Sequence, residues 1–367
     1  MTVEEHDGAR TGELPTRADD LSPPWLTRAL RESGALSGGE VTDVVVEPCG
    51  TGQLGDCYRL TLTYAPSGGG PDHLVAKLAA QDPVSRQFGH LAGLYGNEVA
   101  FYRDLAHHLD VRCPEPYVAD IDESTGTFVL LLEDLTPADE CDQLTGCSLE
   151  AAAQAIDQAA ALHGSSWDHP EVLDRAGSAE AYGLVAEMMG DLVAAFGDRY
   201  ESALTERELG VLASIVGHLG PWAEAMQAEA RCLSHNDFRL DNMLFDGRAG
   251  EVPLTVVDWQ SYCRAPGIND VAYFIGAGLP TPTRRAHERR LVRRYARAMA
   301  AYGVERPFEH WWADYRLHAV HGLVTAVHAS VSVERTPRGD EMFLAMTRRH
   351  VEQMLDHDTL ALLGAGG

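Results

Sequence analysis

Leu233-Ser234-His235-Asn236-Asp237-Phe238-Arg239-Leu240-Asp241-Asn242 is the stretch that decides how this chain is read. Its core is His-x-Asp, then four residues, then Asn. Sixteen residues beyond Asn242, Val256-Val257-Asp258-Trp259 sets an acid at the end of an apolar run. Phosphoryl transfer needs these residue types. A carboxylate must orient the attacking hydroxyl and accept its proton, while an amide oxygen and a second carboxylate hold Mg2+ against the phosphates. Asp237, Asn242 and Asp258 are the right groups in the right chain order. The plainer alternative is a polar turn followed by a buried aspartate.

Working outward, the chain holds one lysine, Lys77, against 28 arginines. A lone lysine in such a chain points to a place where arginine's planar fork cannot substitute. Val75-Ala76-Lys77 lies on a predicted strand, and Glu98 follows 21 residues later in a predicted helix. A compact ammonium on the phosphates, held by a helix glutamate, is what the same chemistry needs. The alternative is an exposed strand lysine and a solvated glutamate. Gly50-Thr51-Gly52-Gln53-Leu54-Gly55 matches G-x-G-x-x-G. Glycines let backbone amides approach a phosphate. A dinucleotide fold needs a helix after that turn, whereas Cys57–Tyr64 alternates like a strand. No G-x-x-x-x-G-K-[ST] occurs, which excludes a P-loop enzyme.

Composition sets the outer bounds. The 367 residues are 45% hydrophobic and 23% charged, which excludes a disordered, fibrous or disulfide-stapled small protein. A formal charge of −26 is a poor match for nucleic acid or an anionic membrane, so neither is an expected partner. A neutral or cationic small molecule fits more easily. Seven cysteines with no C-x-x-C argue against a disulfide framework or zinc ribbon. The acidic start lacks an apolar signal core, and the apolar run around Val271–Leu279 is too short to span a bilayer. A cytoplasmic location is expected.

Three segments are expected: a flexible lead-in at 1–21, a β-rich lobe at 22–135 and a mostly helical lobe at 136–367. The first lobe has predicted strands at 41–46, 58–64, 74–78, 117–121 and 127–133, with one helix over 89–108. The second has predicted helices at 148–163, 180–197, 205–229, 284–301, 310–330 and 338–356. The fold class is α+β, a small β-rich lobe followed by a larger helical one.

Taken in order, Gly50–Gly55, Lys77, Glu98, His235–Asn242 and Asp258 resemble the protein-kinase-like superfamily. The branch they resemble is the aminoglycoside phosphotransferase/choline kinase family, near the ecdysteroid-kinase-like and acyl-CoA-dehydrogenase-associated bacterial phosphotransferases. The likeness spans roughly residues 40–280 and also takes in Asp258-Trp259-Gln260 and Gly267 to Asp270. It implies that Gly50, Gly52 and Gly55 cover the phosphates and that Lys77, held by Glu98, binds them. It implies a hinge at Glu133 to Leu135 offering backbone groups beside adenine. Asp237 is then the base, Asn242 and Asp258 bind Mg2+, ATP is the donor, and Asp270 braces the catalytic loop.

Two departures shape the functional expectation. Asn236 stands where protein kinases carry arginine, and only eleven residues separate Asp258 from Asp270. That leaves no room for an activation segment, which favours a small-molecule kinase over a signalling one. Arg239 has two readings: stabilising charge on the transferred phosphoryl, or pairing with an acid such as Asp241. Downstream, His310, Trp311, Trp312, Tyr315, His318 and His321 suggest helix packing, an acceptor-pocket wall or, least of all, a metal site. The expected activity is ATP- and Mg2+-dependent transfer to a hydroxyl of a small molecule: aminoglycoside-like, choline-like, hydroxyacyl or polyol. The rivals are a kinase acting on Ser/Thr of a biosynthetic peptide and a non-catalytic nucleotide-binding scaffold. Nothing in the sequence sets the oligomeric state or separates ATP from GTP.

Overall fold

Apolar residues at every second position of Tyr58–Tyr64 make a one-faced strand, while the unbroken apolar run Phe128–Leu132 makes one covered on both faces. The computed structural model, which describes residues 13–50, 54–65 and 69–364, places both in a single sheet. Two units are present: Met1–Arg103 with Glu115–Asp134, and Asp104–Pro114 with Leu135–Gly367.

The first unit runs α1 (Pro23–Glu32), β1 (Val41–Cys49), β2 (Gly55–Tyr64), β3 (His73–Ala79), α2 (Pro83–Leu91), α3 (Leu94–Ala100), β4 (Pro116–Asp122) and β5 (Thr127–Glu133). The strands form an antiparallel sheet in the order β1-β2-β3-β5-β4. Leu26 and Leu30 of α1 join Leu60, Leu62, Leu74 and Leu131 in its core. Each such leucine contributes about 2 kcal/mol relative to exposure.

Two expectations need correction here. The single helix over 89–108 is broken at Gly93, whose left-handed backbone (φ +71°) separates α2 from α3. After α3 the chain widens into a π-helical turn at Phe101–Leu105 and then tightens into a 3-10 turn at Ala106–His108 rather than continuing as a regular helix. In the lead-in expected to be flexible to residue 21, Pro15 is buried while Glu13, Thr16, Arg17 and Asp19 are exposed. Ala18–Asp20 form a short turn tied to Thr16 by the Asp20 carboxylate, and Leu21 is fully buried. Residues 1–12 lie outside the described residues.

The second unit contains β6 (Asp139–Glu140), α4 (Leu149–Ser166), α5 (Pro170–Leu173), α6 (Ala181–Tyr200), α7 (Glu206–Ile215), α8 (Gly220–Ala228) and β7 (Cys232–Ser234). It continues with β8 (Met243–Asp246), the turn α9 (Gly247–Gly250), β9 (Val252–Val256), β10 (Cys263–Ala265) and α10 (Ile268–Gly278). Then come α11 (Thr281–Ala301), α12 (Phe308–His318), α13 (Val320–Ser332), α14 (Pro337–Asp356) and α15 (Thr359–Leu362). The helices expected over 205–229 and 310–330 are each two. An extended Val216 ahead of Pro221 ends α7, and the second break falls at Ala319.

Every residue of α10 is buried. That matches a segment of small and apolar residues with neighbours on all sides, and the helix packs on α4, α11, α12, α13 and α14. β8 and β9 form a hairpin with Met243 opposite Val256, and β7 pairs with β10. Among the described residues, no helix is long and apolar enough to cross a membrane. The α+β class expected from the sequence is the one observed.

Candidate active site

Backbone amides leaving a buried strand need acceptors once the sheet ends. After β7 the chain finds them in one carboxylate. Asp270, 0% exposed near the start of α10, accepts from the amides of His235 at 2.7 Å and Asn236 at 2.8 Å. His163 at the end of α4 donates from Nε2 to the same carboxylate at 3.1 Å, and its Nδ1 then accepts from the Tyr295 hydroxyl at 3.0 Å. Gly267 lacks the Cβ that would collide with the His163 ring. Burial pushes the Asp270 carboxyl up, but the hydrogen bond from His163 and that from the His235 amide hold it below the ordinary carboxylate range.

Asn236 carries a left-handed backbone, φ +64°. Asparagine is one of the few residues with a side chain that adopts this readily. Its amide group donates to the carbonyls of Ser234 and Ser261, both at 3.1 Å, and approaches Cys263 Sγ at 3.2 Å. Its backbone carbonyl accepts from His321 Nε2 at 3.2 Å. The residue before the candidate base is therefore pinned from the chain on both sides and by α13.

Asp237 itself is 22% exposed. Its Oδ1 accepts from Arg239 Nε at 3.0 Å and from the Tyr273 hydroxyl at 3.1 Å, and its Oδ2 from Asn242 Nδ2 at 2.8 Å. Burial pushes this carboxyl up, yet Arg239, His235, Asn242 and Tyr273 together outweigh it and hold the group below its usual range. Asp237 is thus ionised at neutral pH. Arg239 also donates to Asp241 at 2.7 Å, so pairing with an acid, one of its two sequence readings, is observed. His235 accepts the Asp237 amide at Nδ1, 3.3 Å, and donates from Nε2 to the Val257 carbonyl at 3.1 Å. Both ring nitrogens are committed, so His235 orients the loop and is not placed to act as a nucleophile.

The β8–β9 hairpin brings the candidate metal ligands to one end. Asn242 lies just before β8, and its carbonyl accepts from the Val257 amide at 3.0 Å. Asp258 follows Val257 with a left-handed backbone, φ +65°. An amide oxygen and a carboxylate are hard donors of the kind Mg2+ takes, with waters and phosphates filling its remaining positions. Among the described residues no group of three or more His, Cys, Asp or Glu is arranged to hold a metal by itself. A two-ligand site completed by a nucleotide is compatible with that.

In the first unit Lys77 points from β3 to α3. Its Nζ lies 2.8 Å from Glu98 Oε1 and 2.7 Å from Oε2, with the lysine 13% and the glutamate 2% exposed. A Cβ at Gly55 would stand 3.1 Å from Lys77 Cε, so the start of β2 runs directly beside the lysine stem. Gly50 directly follows β1 and Gly55 opens β2, while Gly52 lies outside the described residues. At the expected hinge the Glu133 amide is already held by the Glu115 carbonyl, and the Leu135 carbonyl accepts the Arg248 amide. That restricts which backbone groups the hinge has left to offer.

Sequence reasoning missed Tyr273, His163 and Gln143, whose Oε1 accepts the Leu240 amide at 3.0 Å, and it named His321 without foreseeing its contact with the Asn236 carbonyl. Tyr273 had a signal: it lies three residues after Asp270, hence on the same helix face. The others come from distant segments. The aromatic and histidine cluster does not form one pocket. His310 is exposed, whereas His318 and His321 are buried, and burial pushes them down to about 3 and about 4, so both are neutral.

A model of the phosphotransferase enzyme family matches residues 61–308. No curated protein matches the chain. Among solved structures the chain is similar to a choline kinase from Cryptosporidium parvum, with TM-score 0.57 and 10% identity, covering 87% of this chain and 92% of that one. It is also similar to a Plasmodium vivax ethanolamine kinase (0.48, 9%, 90% and 85%) and a Streptococcus pneumoniae choline kinase (0.49, 15%, 86% and 95%). At that identity the first likeness bears on fold alone, the two-lobed α+β kinase-like fold.

Proposed function

The chain belongs to the phosphotransferase enzyme family, and from that premise we propose that it moves the γ-phosphoryl group of ATP to a hydroxyl of a small molecule. The observation that carries this reading is Asp237: an ionised, partly exposed carboxylate on a loop whose preceding amides are fixed by Asp270. Such a carboxylate accepts a hydrogen bond from an acceptor alcohol and fixes its lone pair for in-line attack. As the alcohol oxygen bonds to phosphorus and the bond to the ADP oxygen breaks, the alcohol proton passes to Asp237 and then to solvent. A carboxyl held below its usual range is a weak base, so its main contribution is orientation, with proton transfer late. That suits a loose transition state.

Asn242 and Asp258 would hold Mg2+, which when bound neutralises phosphate charge. Lys77, kept in place by Glu98, supplies the cation for the phosphates. Arg239 is close enough to Asp237 to stabilise charge on the transferred group once the acceptor displaces part of its pairing. The test is a mass-detected transfer screen with Mg·ATP against alcohols, amino sugars and hydroxyacyl compounds, with precursor peptides as a second arm. Phosphorylated product from a small alcohol supports the reading. Nucleotide binding without transfer to any acceptor would overturn it.

A further inference from the structure

Two cysteines of the first unit face each other across neighbouring strands. In the antiparallel register of β1 and β2, Cys49 stands opposite Cys57, and across the β2–β3 pair Cys57 stands opposite Lys77. Directly opposite residues share one face of a sheet, so Cys49, Cys57 and Lys77 form a row across three strands. The ladder fixes their spacing. Leu62 of β2 donates its amide to the Asp72 carbonyl just ahead of β3, while Ala65 donates to the Glu40 carbonyl just ahead of β1. Even-numbered residues of β2 therefore bond toward β3 and odd-numbered ones toward β1. Cys49 and Cys57 are thus a hydrogen-bonded pair, with Cα atoms about 5.5 Å apart. A disulfide spans Cα separations of roughly 4.4–6.8 Å, which brackets that value. A Cβ built on Gly50 would lie 3.8 Å from Cys57 Cβ, so the chain leaving Cys49 stays beside Cys57. Both cysteines are partly exposed, within reach of a small oxidant. Elsewhere burial pushes the Cys147 and Cys263 thiols up to about 12 and raises Cys141 and Cys232 as well, which keeps those four protonated and unreactive.

We propose that Cys49 and Cys57 are a reversible oxidation site, at which a peroxide closes a disulfide between β1 and β2 and so weakens nucleotide binding beside Lys77. One thiolate attacks the peroxide O–O bond, giving a sulfenic acid and hydroxide. The second thiolate attacks that sulfur and expels its oxygen as hydroxide, forming the S–S bond. The thiol protons neutralise the two hydroxides, so two thiols are oxidised by two electrons and one peroxide is reduced to two waters. The sulfurs then sit on the Lys77 face, where a Cβ at Gly55 would already stand 3.1 Å from Lys77 Cε. A bridge across this row narrows the approach of a phosphate to the ammonium. The effect on nucleotide rests on Lys77 being the phosphate cation, whereas formation of the bond does not.

The experiment treats the full chain with hydrogen peroxide, quenches it with an alkylating agent and maps the peptides by mass. A Cys49–Cys57 cross-linked peptide, lighter than the two thiol peptides by two hydrogens and lost on treatment with dithiothreitol, is expected. Calorimetric titration with Mg·ATP should show about tenfold weaker binding after oxidation, restored by dithiothreitol. Cys49→Ser and Cys57→Ser should each bind Mg·ATP as the reduced wild type does and lose the response to peroxide. Absence of the cross-link, bridging of either cysteine to another one, unchanged affinity in the cross-linked protein, or a peroxide response that persists in both variants overturns the proposal and leaves the phosphotransferase reading standing. Reduced wild type that binds no nucleotide defeats both.

Discussion

Asn236 concentrates strain and hydrogen bonding one residue before the candidate base, so replacing it separates the two effects. Asn236→Ala removes the donor to the Ser234 and Ser261 carbonyls. Each buried group left without a partner costs about 1–3 kcal/mol. A left-handed backbone, observed here at φ +64°, costs alanine about 1 kcal/mol more. The sum is roughly 3–7 kcal/mol. Asn236→Gly loses the same hydrogen bonds but not the strain, and after subtracting about 0.5 kcal/mol for glycine's larger unfolded-state entropy it should be about 0.5 kcal/mol more stable than the alanine variant. Five of the six tryptophans (167, 222, 259, 311 and 312) lie in the second unit, so urea unfolding followed by tryptophan fluorescence reads the right part of the molecule. Turnover should fall in the same order as stability. If alanine proved as stable as glycine, or if both variants stayed within about 1 kcal/mol of the wild type, the account of this loop would be wrong.

The remaining expectations are direct. Asp237→Asn should keep nucleotide affinity in a fluorescence titration while turnover drops about 10²–10⁴-fold. Asp258→Ala should abolish the Mg2+ dependence of nucleotide binding, and equal binding with and without Mg2+ in the wild type would count against that assignment. Lys77→Met should raise the KM for ATP about tenfold or more, and Lys77→Arg should not rescue it, because a planar fork does not replace a compact ammonium against Glu98. Asp270 is ionised in the fold with a lowered pKa. Its stabilisation is therefore present above the unfolded value of about 3.9 and is lost as pH falls through the lower folded value. An acid titration of wild type against Asp270→Asn should show a flatter low-pH limb in the variant.

The features written in local pattern are legible in the residues alone. Alternation gives away β2, the unbroken apolar run β5, and Ser148 the start of α4, where its hydroxyl accepts the Ala151 amide. The lone lysine and the glutamate 21 residues later do meet. What stays hidden depends on sequence-distant partners. The contact of His321 with the Asn236 carbonyl joins residues 85 apart, and that of His163 with Asp270 joins residues 107 apart. No periodicity encodes such pairings, because they are set by how helices pack. The break at Gly93 is different: the glycine is visible, but helical spacing of Leu94, Phe101 and Leu105 after it masks the change of direction.

The clasp between Lys77 and Glu98 has a practical corollary. Apart from the α-amino terminus, this side chain is the one primary amine in the whole sequence. Reductive methylation with isotope-labelled formaldehyde would therefore install a single side-chain spectroscopic reporter without any mutation, and dimethylation leaves its positive charge intact. Because the lysine side chain is 13% exposed and its amine is held by a carboxylate, the rate of labelling itself becomes a gauge of how often the clasp opens. A bound triphosphate should slow that rate, giving a readout of occupancy that needs no acceptor at all.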